Sequence, residues 1–376
     1  MNFQLYFRLI QFSLGVYDGK EFLSGEALRG FDWDAFHRFA KRQTLVGVLF
    51  EGIQRLPKEV LPDTDLIMTW FGQCQRIKRR NVALNEATAL IYHQIREAGY
   101  RCCILKGQGN ALMYPNPFSR TPGDVDVWVN ASRENIRRLA LSLAEGHGSV
   151  GEESLNHIEM TWDGIAVELH SAPAVMNHPI HHRRLQKWLK RNADLQCSNI
   201  VSLPDGSGNV TGGDAGEIAV PTNAFNVIYQ LFHLYHHYFY EGVGLRQIVD
   251  YYLVIKSLPQ MSQIDTDFDA FRHRLKYLGL WKFAGAVMYV LHEVLGLSED
   301  RMIRPMDEKR GRMLLEEILA GGNFGQHDGR YGFGHGAIGH NLQRLCRDGR
   351  LVKYYPSEAL SEPIFRIWHF FWRKFN

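Results

Sequence analysis

Residues 120–129, RTPGDVDVWV, hold this chain to a narrow set of folds. Val127, Trp128 and Val129 form an apolar run suited to a buried strand, yet Asp124 and Asp126 open it, two residues apart. In a strand, residues i and i+2 face the same side, so both carboxylates project together. Unpaired, two such anions repel and one is driven to hold its proton. A divalent cation removes the repulsion, and carboxylate oxygens are natural ligands of Mg²⁺. Two such ions about 3.5–4 Å apart can align the attacking and leaving oxygens of a phosphoryl or nucleotidyl transfer. A lone Asp-x-Asp would mean only a solvated strand end, so the reading depends on what surrounds it.

The surroundings supply three further features. RCCILKG (101–107) is a short apolar run closed by a glycine, hence a strand and a turn. QGNALMYP then reads as a short helix ended by Pro115 and Pro117. Backbone N–H groups at such a turn can hold phosphate, so Lys106, Gly107, Gln108 and Gly109 are candidate nucleotide contacts, with Arg120 adding a second positive charge. Downstream, HIEMTW and IAVELH flank Asp163-Gly164, a two-residue hairpin signal. Glu168, between Val167 and Leu169, points opposite to both; an acid so placed is costly if buried unpaired and is most simply a third ligand of the same metal. His170 shares its face, and His157 and Glu159 form a same-face pair on the partner strand. The two histidines are read as groups that pack or hydrogen-bond around the carboxylates.

The rest of the chain is helical in pattern. Residues 1–98 carry aromatic and aliphatic stripes at helical spacing, with Asp32 as an N-cap and one long helix ending at Gly99. SRENIRRLALSLAEG is a helix capped by Ser132. The glycine-rich stretch at 205–216 is read as a mobile loop before a last short strand. From 221 onward five helices and an amphipathic aromatic tail follow, the tail expected to dock on its own domain. The organisation is therefore a helical region over 1–98, an α/β core over 99–220 and a helical domain over 221–376, in the α+β class. His233 and His237, and Arg246 and Asp250, are i,i+4 pairs; packing suits the first and a helix salt bridge the second.

Bulk properties exclude little. A formal net charge of +3 over 376 residues gives no support for a nucleic-acid partner. The five cysteines are odd in number and irregularly spaced, so they read as reduced thiols of a cytoplasmic protein. The N-terminus lacks a basic start, and no apolar stretch is long enough to span a membrane.

Together, ILKGQGNALMYPNPFSRTPGDVDVWV, HIEMTWDGIAVELH, LFHLYHHYFYEGVGLRQIVDYY and GGNFG resemble the uncharacterised bacterial nucleotidyltransferase family, within the polymerase-β-like superfamily. In that pattern a Leu-Lys-Gly turn, a Tyr, an Arg and an Asp-x-Asp recur in order, followed by an acid-x-His strand and a helical region with an LR…D segment. The resemblance implies a nucleotidyltransferase-like mixed sheet. It also implies Mg²⁺ (or Mn²⁺) held by Asp124, Asp126 and Glu168, and an NTP such as ATP on Lys106, the 107–109 turn and Arg120. The acceptor is left open: a small molecule, a protein hydroxyl or an RNA end. The usual superfamily turn is Gly-Ser or Gly-Gly; here Lys106-Gly107 brings no serine hydroxyl to the triphosphate. Two other readings stay in play, a nucleotide-binding protein without turnover and an unrelated metal-dependent phosphohydrolase.

Overall fold

The computed structural model describes residues 3–23, 25–207, 214–258, 265–325 and 349–375. A five-stranded mixed sheet lies in the middle of the chain, in the order β1-β2-β5-β4-β3. Its strands are β1 (Cys102–Ile104), β2 (Val125–Val129), β3 (Gly148–Glu153), β4 (His157–Trp162) and β5 (Ile165–His170). β2 runs parallel to β5 and antiparallel to β1; β4 pairs antiparallel with both β5 and β3. The Asp163-Gly164 turn joins β4 to β5 with positive φ at both residues (48° and 78°), as a tight hairpin requires. β6 (Ile200–Pro204) and β7 (Asp214–Ala219) make a separate two-stranded ribbon. β7 is the expected last strand; its partner β6, and the exposed β3, are additions to the sequence reading. Residues 208–213 of the glycine-rich loop lie outside the described residues.

Before the sheet come α1 (Phe3–Ser13), α2 (Lys20–Leu23), α3 (Trp33–Arg42), α4 (Val46–Ile53) and α5 (Thr64–Glu97). Asp32 caps α3 by accepting from the Ala35 N–H, as its position predicts. The helical pattern over 32–56 is broken between α3 and α4, where Thr44 takes φ 54°. α5 is one helix of 34 residues. Its first half packs Trp70 into a helical core, and its second half packs Leu84, Ile91 and Ile95 against the sheet. Within and after the sheet come α6 (Gln108–Ala111), α7 (Arg133–Ala144), α8 (Pro179–Gln196), α9 (Asn223–Tyr240), α10 (Leu245–Lys256), α11 (Asp265–Tyr277), α12 (Trp281–Leu295), α13 (Glu308–Gly321) and α14 (Pro356–Phe375). Ser132 caps α7 through the Asn135 N–H.

The helices before and after the sheet bury their apolar faces in one shared cluster that runs from Tyr6 to Ala359. Polar side chains tie the two segments together: Gln11 donates to the Val294 carbonyl, Gln43 to that of Ile318, and Gln43 accepts from the Leu245 N–H. The start of the tail helix is docked on one face: Tyr355, Ala359 and Glu362 are buried, while Leu360, Ile364, Ile367 and Trp368 are each at least 50% exposed. Among the described residues, no helix is long and apolar enough to cross a membrane.

Candidate active site

The parallel register of β2 and β5 sets Asp126 directly opposite Glu168 and Trp128 opposite His170. Period-two alternation then puts Asp124, Asp126, Glu168 and His170 on one face of the sheet, while Val125, Val127 and Leu169 fill the core behind it. Asp124, Asp126 and Glu168 each offer an oxygen, and these lie within 4.8 Å of one another. Asp126 is 2% exposed.

Two cations answer these acids. Lys106, at the end of β1, places Nζ 3.1 Å from Asp126 Oδ1. His170 Nε2 lies 3.0 Å from the same oxygen and 3.2 Å from Glu168 Oε2. Burial alone would lower the His170 pKa, but its bonds to Asp126 and Glu168 win and push it up to about 9. Burial alone would raise Glu168; the bond from His170 and the charges around it hold it at about 2. Lys106 follows the same logic: burial opposes its charge, and Asp126, Asp124 and Glu168 more than offset that and raise its pKa. Glu168 is therefore ionised and His170 protonated at neutral pH. His157 hydrogen-bonds Ser154 Oγ through Nδ1 at 3.0 Å, with its ring 5.1 Å from that of His170. Burial first, and then the neighbouring His170, lower its pKa.

Two atoms of this cluster, His170 Nδ1 and Asp126 Oδ2, are buried and have no hydrogen-bond partner, and the second is the one that bears on a metal. An orphaned carboxylate oxygen is costly, and here it belongs to a set of three oxygen donors. Hard oxygen donors of this number and spacing suit Mg²⁺ or Mn²⁺, so the residues present fit such an ion.

The acids form one wall of a cleft of about 290 Å³. Of the residues singled out from sequence, Lys106, Gly107, Arg120, Asp124, Asp126, His157, Glu168 and His170 all line it. Gly107 takes φ 57° and ψ −110°, a conformation that excludes a side chain, which lets the chain turn sharply out of β1. Gln108 and Gly109 do not reach the cleft. The Gln108 amide turns away to Asn85 and Asn81 on α5, and Gly109 packs against Val220. The four-residue α6 points that side back toward α5, so of the expected nucleotide contacts Lys106, Gly107 and Arg120 line the cleft.

Arg120 is present but occupied. Its Nε and Nη2 each donate to an oxygen of Asp250 at 2.8 Å, and Tyr114 Oη donates to the same carboxylate at 2.7 Å. All three residues are buried. The pair expected within α10, Arg246 with Asp250, is thus replaced by a longer-range one: Arg120 arrives from the loop before β2 with a bidentate fork, and Arg246 Nη1 donates to the Thr121 carbonyl. Both arginines fasten the 120–124 loop that carries Asp124.

The opposite wall comes from α9, one of the C-terminal helices that the sequence offered as shaping an acceptor or base pocket, its histidines read as packing rather than metal-binding. Tyr229, Gln230, His233 and His236 face the acids. Burial, then the charge of Lys106, keep the His233 pKa well below the ordinary value, so it stands as a neutral donor or acceptor. Spacing 229, 233, 236 and 237 at i, i+4, i+7 and i+8 was a visible sign of one helix face. His237 Nδ1 is 2.9 Å from Glu241 Oε2, and among the described residues the α9 histidines form no three-ligand metal cluster.

Residues 29–296 match the model of a family described as uncharacterised nucleotidyltransferase. Among solved structures, the chain resembles an antigenic nucleotidyltransferase-like protein from Paracoccidioides brasiliensis at 16% identity. That likeness covers 52% of this chain and 89% of the other with a TM-score of 0.30, too loose to carry weight. No curated protein matches.

Proposed function

The chain belongs to the uncharacterised nucleotidyltransferase family, and from that premise we propose that it moves a nucleoside monophosphate from an NTP to a hydroxyl-bearing acceptor. The observation that carries this is the β2–β5 register: it gathers Asp124, Asp126 and Glu168 within 4.8 Å and leaves Asp126 Oδ2 buried without a partner. In such a transfer the acceptor oxygen bonds to the α-phosphorus, the bond to pyrophosphate breaks, and the hydroxyl proton is released. Asp124, Asp126 and Glu168 would hold Mg²⁺ or Mn²⁺, and Glu168 would face the acceptor. When bound, the ion supplies a Lewis acid that neutralises phosphate charge and acidifies the hydroxyl. Lys106, part-exposed at 18%, would turn its ammonium from Asp126 to the phosphates. His170 keeps Asp126 and Glu168 at a fixed spacing. The paired Arg120 and Asp250 hold the loop so that Asp124 needs no reorganisation as charge develops. His233, uncharged, would bind sugar or base without adding positive charge.

A second reading has one observation in its favour. Lys106 and His170 already act as counter-charges to the acids, an arrangement that a nucleotide-binding protein without turnover would also stabilise. Pyrophosphate release in the presence of an acceptor separates the two.

The test is thermal unfolding with ATP, GTP, CTP and UTP, each with and without Mg²⁺ or Mn²⁺, on the natural chain and on Asp126→Asn. A ligand at about 100 times its Kd adds roughly 2.7 kcal/mol. A metal-dependent rise for at least one NTP, lost in Asp126→Asn, is the expected result. No rise with any NTP overturns the proposal.

A further inference from the structure

A second cavity, of about 380 Å³, lies on the other side of the 120–124 loop. Arg120, Gly123 and Asp124 line the cleft described above, while Thr121 and Pro122 line this second groove, so one short loop is the wall between them. The groove has an apolar floor of Val46, Ile77 and Pro122 and a rim of Lys41, Arg76 and Arg80. All three cations are exposed. Lys78, on another face of α5, has its ammonium 5.9 Å from the ring of Phe118. Among the described residues, no carboxylate lies within 4.0 Å of Lys41, Arg76, Lys78, Arg79 or Arg80. Arg76 and Arg80 are i,i+4 neighbours on α5, where like charges disfavour the helix, and α5 carries no acid between Asp65 and Glu86 to relieve them.

We propose that this groove binds the phosphodiester backbone of a single-stranded nucleic acid and delivers its terminal hydroxyl over the loop to the cleft. The inference rests on the transferase reading above and names its acceptor. The groove offers three cations, Lys41 from α3 and Arg76 and Arg80 from α5, to a ligand that carries repeated phosphates. A nucleic-acid strand meets both demands at once, since it repeats phosphates along the groove and ends in a hydroxyl. Arginine forks are the side chains best matched to phosphate oxygens, and they make up two of the three rim cations. The net charge of +3 hid this because it sums the whole chain, whereas the cations that matter are gathered beside the loop that carries Asp124.

The experiment is fluorescence anisotropy with a short labelled RNA and a DNA of the same sequence, over about 0.05–0.4 M salt. Lys41→Ala/Arg76→Ala/Arg80→Ala should bind ~100-fold more weakly at about 0.1 M salt, with a salt slope smaller by about 2, the share of three phosphate contacts on a single strand. The three side chains are exposed, so this variant should melt like the natural chain. Should it fail to fold, Arg76→Glu alone must still weaken binding. Asp126→Asn should bind the strand normally while losing the metal-dependent NTP shift, so groove and transfer site can fail separately. The tighter of the two probes names the acceptor as RNA or DNA. Binding of neither strand by the natural chain, an unchanged affinity and slope in the triple variant, or a phosphopeptide retained in place of both strands would overturn the proposal.

Discussion

Removing Arg120 should cost more stability than any surface change, and the size of the loss follows from its surroundings. Asp250 takes two hydrogen bonds from the Arg120 guanidinium at 2.8 Å and one from Tyr114 at 2.7 Å, with both charged side chains 6% exposed. Burial opposes ionisation of Asp250, and the adjacent Arg120 reverses this, so its pKa is lowered and it stays charged. Arg120→Ala therefore strands a buried anion, at a cost of about 3–5 kcal/mol. Tyr114→Phe removes one bond to a charged acceptor and should cost about 1.5–3 kcal/mol. Arg120→Met with Asp250→Leu removes both charges and should cost less than the sum of the two single changes, because neither partner is left alone. Urea unfolding followed by tryptophan fluorescence measures Arg120→Ala, Tyr114→Phe, the single changes Arg120→Met and Asp250→Leu, and their double. A loss below about 1 kcal/mol for Arg120→Ala, or additive losses in the double variant, would refute the claim that this pair clamps the loop.

Three other outcomes can be checked directly. Gly47→Ala would drive a Cβ into the Ser119 carbonyl; it should cost about 1–3 kcal/mol and loosen the loop, read as a lower melting temperature together with weaker NTP binding. Glu358 accepts from the Asn177 and His178 N–H groups, yet burial dominates and raises its pKa to about 7. The folded chain then holds a proton that the unfolded chain releases near pH 4.5, so stability should fall by roughly 3 kcal/mol as pH climbs through that window, and Glu358→Gln should flatten the slope in pH-dependent unfolding. Glu168→Gln should leave the fold intact and reduce the metal-dependent NTP shift in the same melting assay.

The acid face was legible in the sequence because its cause is local. Alternation fixes the common side of Asp124 and Asp126, and the Asp163-Gly164 turn fixes which way Glu168 points. Ser132 and Asp32 announced their helices for the same reason. The turn of the Gln108 side chain toward α5 was not legible, because a four-residue helix has too few positions to reveal its inner face. The partner of Asp250 was hidden by distance: Arg120 stands 130 residues away, whereas Arg246 stood at a helix spacing. Strand β3, GSVGEE, is exposed along most of its length and so carries no apolar alternation. The α9 wall was visible as a stripe, but nothing local says that a stripe lines a cleft rather than fills a core.

The length of α5 bears on how small a working piece of this protein can be. Thirty-four residues span about 50 Å, enough to begin among the helices and finish beneath the sheet. Near its midpoint Asn81 donates to the carbonyls of Phe118 and Arg120, which makes this helix a mooring for the loop that bears Asp124. A fragment cut at residue 99 would keep all three acids and lose the mooring, and with it the groove rim formed by Arg76 and Arg80. The shortest fragment expected to retain the cleft begins ahead of Thr64, so the sheet is better regarded as one end of a helical scaffold than as a detachable module.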